Sequence, residues 1–124
     1  MTSKITAFAL MLLIILLTFG CSRQAHSAGK ATLVVSTIGS TQYRNITFKN
    51  ESALDALSKN FNVTISGYPG LGEFVKCIDS VCSNSEYFWA FYINNQSASL
   101  GAGSYLLKDG DVVEFRYSNQ LEKT

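Results

Sequence analysis

The chain has 124 residues, 47% of them hydrophobic, 12% aromatic and 15% charged, with a single proline. That is the size of one domain, and the balance excludes intrinsic disorder, a collagen-like repeat and a coiled coil. Ten Lys and Arg face nine Asp and Glu, so there is no basic excess to release counterions from a phosphate backbone, and no nucleic-acid partner is expected.

Residues 1–4 carry one positive charge, and residues 5–19 are apolar apart from two Thr. At roughly fifteen residues this run falls short of the about twenty that cross a bilayer as a helix, so residues 1–20 read as a signal peptide. The run closes on Gly20-Cys21, which resembles the bacterial lipoprotein cleavage box, where a Cys after a small residue becomes the lipidated first residue. Thr18 and Phe19 depart from the usual box. The resemblance implies a lipid on Cys21 and an extracytoplasmic, membrane-anchored chain, with plain secretion as the alternative. Residues 21–29 are small and polar and read as a tether. The lone histidine, His26, lies in that tether, so no Ser-His or Cys-His nucleophile system can be assembled and no catalytic residue is expected. Loss of Lys4 with the signal leaves nine basic against nine acidic residues, a neutral chain without electrostatic steering.

Residues 31–37 are β-branched and bounded by Gly29 and Gly39, and residues 43–48 follow a polar turn. They predict a first hairpin with Leu33, Val35, Ile46 and Phe48 inward. Ser52 opens the one helical pattern. Asp55, three residues on, makes a capping box, and Leu54, Leu57 and Phe61 form a stripe widened by Ala53 and Ala56. Residues 62–66 read as a brief strand and residues 67–73 as a glycine-rich loop. With no Lys-Ser/Thr successor, that loop is not a phosphate cradle. Residues 74–78 and 81–83 predict a hairpin turning at Asp79-Ser80, which sets Cys77 opposite Cys82 for a disulfide. As a zinc half-site that pair lacks two further ligands, and as a redox couple it lacks the usual C-x-x-C spacing. Lipidation of Cys21 then accounts for the odd cysteine.

Residues 87–93 (YFWAFYI) are the most apolar strand, ended by a turn at Asn94-Asn95. Residues 105–107, an Asp109-Gly110 turn and residues 112–117 predict a last hairpin. Asp109 and Asp111 read as turn and strand-entry residues, because two carboxyls without a regular series of oxygen ligands do not make a calcium site. No metal site is expected. N-x-S/T triplets at Asn45, Asn50, Asn62 and Asn95 are read as chance products of polar strand edges. The fold class that follows is α+β: a β-grasp-like roll, a mixed sheet of about four to six short strands with one short helix, over residues 30–118 and followed by a tail at 119–124.

Alternation places Tyr87, Trp89, Phe91 and Ile93 on one face of the aromatic strand and Phe88, Ala90 and Tyr92 on the other. A single helix covers only one face. Either the loops at 67–73 and 97–104 fold over the second, or it stays open as an aromatic patch for a flat ligand or a partner.

The series SALDAL, GYPGLGEFVKCID and FWAFYINNQSASLGAGSYLLKDGDVVEFRY resembles the transcobalamin carboxy-terminal-like family over about residues 30–118. Its most specific portion is the strand with Trp89, the Asn94-Asn95 turn, the Gly101 to Tyr105 stretch and the Gly110-Asp111 turn leading to Phe115-Arg116-Tyr117. The resemblance implies a β-grasp domain that covers one face of a corrinoid. The implied ligand contacts are Tyr87, Phe88 and Trp89 on the strand, and Ser99, Leu100, Gly101 and Tyr105 around the loop. The large helical domain with which vertebrate cobalamin carriers enclose their ligand has no counterpart in this sequence. The expected function is therefore a lipid-anchored extracytoplasmic binding module, not an enzyme, that contacts cobalamin, another corrinoid or another planar small molecule. The alternative is a cell-surface protein or cell-wall interaction module without a small-molecule ligand.

Overall fold

The computed structural model describes residues 28–70 and 72–119. The signal segment, Cys21, His26 and residues 120–124 lie outside them. Among the described residues no helix is long and apolar enough to cross a membrane.

Two ten-residue strands, β1 (Ala28–Thr37) and β2 (Ser40–Lys49), pair in continuous antiparallel register from Ala28 opposite Lys49 to Thr37 opposite Ser40. This hairpin is longer than the expected one because its turn is only Ile38-Gly39. Gly39 adopts a φ of 84° there, which glycine reaches without a Cβ clash. Leu33, Val35 and Phe48 are buried and Ile46 packs against the same core, as the alternation predicts. Helix α1 (Ala53–Asn60) begins at Ser52, whose hydroxyl accepts from the Asp55 amide at 3.1 Å while the Asp55 carboxyl accepts from the Ser52 amide at 3.3 Å. That capping box satisfies two groups that the first turn would otherwise leave unpaired. Ala53, Leu54, Ala56 and Leu57 are buried against the sheet.

Strands β3 (Val63–Tyr68), β4 (Gly72–Ile78) and β5 (Val81–Cys82) form a three-stranded antiparallel sheet. The glycine-rich stretch at 67–73 is therefore mostly strand. Gly67 pairs with Glu73 and Tyr68 with Gly72, because Gly70 and Gly72, with φ near 80°, close the turn tightly. The Cys77–Cys82 disulfide is present and Asp79 takes a positive φ in the turn. Strand β6 (Tyr87–Ile93) has the predicted limits, and positive φ at both Asn94 and Asn95 gives the mirror-image turn that suits a tight hairpin to β7 (Gln96–Ser97).

The last strand, β8 (Val112–Asn119), lies between β6, antiparallel, and β1, parallel, giving the order β2-β1-β8-β6-β7. Among the described residues the fold is thus a small, mostly β arrangement of a mixed five-stranded sheet, a three-stranded sheet and one short helix. The expected final hairpin is corrected: residues 105–107 do not pair with β8. They serve the helix start instead. The Ala53 amide donates to the Tyr105 carbonyl, the Leu107 amide donates to the Glu51 carbonyl, and Leu106 bridges to Ser52. The helix N-terminus needs those acceptors, and β8 already has a strand on each side.

Candidate functional site

The core face of the large sheet carries Leu33, Val35, Val113, Phe115 and Trp89, all buried in one cluster with the apolar residues of α1. Phe91 stacks on Phe115 with ring centroids 5.2 Å apart. On the opposite face Phe88, Ala90 and Tyr92 are half-buried. Glu114 and Arg116, opposite Tyr92 and Ala90 in the ladder, share that face, and the Arg116 guanidinium lies 4.2 Å over the Tyr92 ring. Arg116 also donates to Glu114, whose Oε1 accepts from the Ser36 hydroxyl. The Arg116 hydrogen bonds hold the Glu114 carboxyl below its ordinary range, although burial pulls the other way. Of the two loops weighed as a cover for this face, the 97–104 segment docks on the helix at Ala102, which is buried and whose carbonyl accepts from the Leu54 amide at 3.0 Å.

Strand β7 pairs with β6 only at Tyr92 and Ile93. Beyond that, a cleft of about 230 Å³ opens between the edge of β6 (Phe88 to Tyr92), the start of β4 (Glu73, Phe74, Val75) and the segment from Ser97 to Ala102, with Phe115 also lining it. Phe74 and Leu100 stand on opposite walls, 42% and 53% exposed. A second hollow beside it, of about 260 Å³ and lined by Ile93, Ser99, Leu100 and Tyr105 among others, continues along the loop.

Of the seven residues the resemblance implied, Phe88, Trp89, Leu100 and Gly101 line the cleft, and Ser99, Leu100 and Tyr105 line the adjoining hollow. Tyr87 lines neither; it stacks on Tyr117 at 5.0 Å. Trp89 is only 8% exposed, and its indole N–H donates to the Val81 carbonyl at 3.1 Å. It therefore forms the floor of the cleft rather than a stacking platform. Tyr105 meets the edge of Phe91, and its hydroxyl donates to Asp111 at 2.8 Å. Burial, then that hydrogen bond and the nearby Asp111 charge, push its phenol up to about 12. Sequence reasoning missed Glu73, Phe74 and Val75. Their approach to β6 is a contact between two sheets, which no local pattern announces.

A wider hollow of about 540 Å³ lies at the start of β1 and the middle of β2, lined by Lys30, Thr32, Asn45 and Thr47 among others. It is larger but holds none of the aromatic groups. Among the described residues no three His, Cys, Asp or Glu side chains come together as metal ligands.

The architecture is a small α+β scaffold with a cleft between its two sheets. The family model described as a domain of unknown function, DUF4430, matches residues 50–119, and the chain belongs to that family. Human transcobalamin-1 is 31% identical over 90 residues, covering 65% of this chain and 21% of that protein. A solved structure of haptocorrin in complex with Cbi superposes with a TM-score of 0.68 at 25% identity, covering 77% of this chain and 26% of that one. A protein from Ruminococcus gnavus, named as metal binding, gives 0.65 at 16% identity, covering 73% and 97%; at that identity the likeness is one of fold alone. The resemblance to the transcobalamin-like domains holds, and this chain spans about a quarter or less of the length of the two corrinoid-related proteins it matches.

Proposed function

We propose that the chain is a non-enzymatic binding module of the β-grasp kind that contacts part of a corrinoid, or of a similar planar ligand, at the cleft between β4, β6 and the 97–102 segment. The observation that carries this reading is the convergence of the two separate stretches implied as ligand contacts. Phe88 and Trp89 on the strand and Leu100 and Gly101 on the loop line one cleft, in a chain similar to haptocorrin, which has been solved with Cbi. Size limits the contact. Sites that enclose a small ligand span roughly 300–1,000 Å³, and this cleft has about 230 Å³, so it takes an edge of a macrocycle and leaves the remainder for another surface. The Cys77–Cys82 disulfide fits an oxidising compartment. With signal removal at residue 20 and a lipid on Cys21, the domain would work extracytoplasmically on a tether.

The test is a titration of the chain with cobinamide, followed by corrinoid absorbance and by emission of Trp89, the sole tryptophan. Saturable binding that weakens at least tenfold in Leu100→Glu supports the reading. Absence of any saturable change at high micromolar ligand overturns it, and leaves the exposed Phe74 and Leu100 for a protein partner on the cell surface.

A further inference from the structure

Asp111, at first sight an ordinary turn residue, is buried to 5% exposure and has more polar partners than a turn requires. Its Oδ2 accepts from the Tyr105 hydroxyl at 2.8 Å and from the Lys108 amide at 2.9 Å, and its Oδ1 accepts from the Asn94 side-chain amide at 3.0 Å. Asn94 is held further, since its own Oδ1 accepts from the Val112 amide at 2.8 Å and its backbone amide donates to the Val112 carbonyl at 2.9 Å. Asn94 and Tyr105 are the two ends of the segment that supplies Ser97, Ala98, Leu100, Gly101 and Ala102 to the cleft. A single carboxyl group therefore ties both ends of one wall together.

We propose that Asp111 is the positioning residue of the cleft, fixing the 95–104 segment in the shape that makes one of its walls. The proposal rests on the cleft being the binding site for its effect on affinity, but the effect on the loop stands without any ligand. Between the two clamped ends the segment is held by the pairing of Gln96 and Ser97 with β6 and by a few further bonds. The Ala98 amide donates to the Phe91 carbonyl, the Ser104 and Tyr105 amides turn back on the Gly101 carbonyl, and the Leu54 amide reaches the Ala102 carbonyl. Gly101 and Gly103 raise the number of backbone states open to the segment once the clamp is lost. Closing a loop of about ten residues removes chain entropy, and here side-chain hydrogen bonds at its two ends maintain the closure. Bonds to a charged acceptor are stronger than neutral ones, and three of them meet at one buried group.

The substitution Asp111→Asn keeps the size of the side chain and replaces one of its two acceptor oxygens by an NH2 donor, so the group can no longer accept from both the Asn94 end and the Tyr105 and Lys108 end. Asp109→Asn is the control. Asp109 accepts from the Lys30 amide at 2.9 Å, two residues away, and touches neither end of the segment. Hydrogen exchange on the chain should show the Ala98, Ser104 and Tyr105 amides exchanging at least tenfold faster in Asp111→Asn. The Ala56 and Phe61 amides of the helix should be unchanged, and Asp109→Asn should leave all five alone. Tyr105→Phe, which keeps the Asn94 and Lys108 bonds, should give a smaller acceleration at the same amides. Where the unmodified chain binds cobinamide, Asp111→Asn should lower the affinity at least tenfold at unchanged helix exchange. Equal acceleration across the helix and the segment, or none in the segment, overturns the proposal. Accelerated segment exchange in a chain that binds no cobinamide keeps the clamp and removes the corrinoid reading, so the two failures are distinguishable.

Discussion

The two walls of the cleft are held by different chemistry. The β3-β4-β5 wall is tied covalently by Cys77–Cys82 and hooked onto the large sheet by two hydrogen bonds, from the Trp89 indole to Val81 and from the Tyr117 hydroxyl to Cys82 at 2.7 Å. The 95–104 wall has no covalent tie; it is closed by the Asp111 carboxyl and by the amides of the helix start. A crosslink acts largely by restricting the unfolded chain. A hydrogen-bonded clamp acts on the folded state and can open locally while the rest of the domain stays folded. Opening the hairpin wall would have to break a covalent bond, whereas opening the loop wall would break hydrogen bonds alone.

The floor shared by both walls should show the largest effect. Phe115, 1% exposed and stacked on Phe91, contributes to the core as well as the cleft. Phe115→Ala should cost about 3–5 kcal/mol in denaturant unfolding, because truncation of a buried ring leaves a cavity. Breaking the hairpin wall with Cys77→Ser plus Cys82→Ser should cost about 2 kcal/mol, the entropy of so short a loop, read as a lower unfolding midpoint that reductant no longer shifts. Tyr117→Phe, which removes the hook but not the crosslink, should cost about 1 kcal/mol, the net worth of an ordinary hydrogen bond.

The smallest effect probes the loop wall by pH. The Tyr105 phenol is raised from 10.0 to about 12, so its neutral form is favoured in the fold. Its contribution to stability is complete below about pH 10 and is lost as pH rises toward about 12. Phenolate absorbance should therefore carry a late-ionising component, and Tyr105→Phe should remove it. A late component that survives the substitution would assign it to another ring.

Much of the fold was legible in local patterns. The Ser52 and Asp55 capping box, the stripe of Leu54 and Leu57, the aromatic strand and the Cys77–Cys82 pairing all depend on spacing within a few residues, and each is where the sequence puts it. What was not legible is non-local. Tyr105 to Leu107 look like a strand, but the acceptors needed by the first turn of α1 draw them to the helix. The cleft was half legible: the strand and loop residues came from the resemblance, whereas β4 as a wall requires knowing how the two sheets meet. Trp89 came from the resemblance as a ligand contact; alternation alone does not say that β5 takes its indole N–H and leaves the ring buried. The opposite face keeps Phe88 and Tyr92 half-buried with Arg116 laid over Tyr92, between the two outcomes the alternation allowed.

The most direct measurement is a map of backbone amide chemical-shift changes as cobinamide is added to the chain. The account predicts changes concentrated at residues 73–75, 88–92 and 97–102, with the loop residues moving further than those of β4. Changes concentrated instead around Lys30, Asn45 and Thr47, in the larger hollow, or spread evenly over the surface, would contradict it.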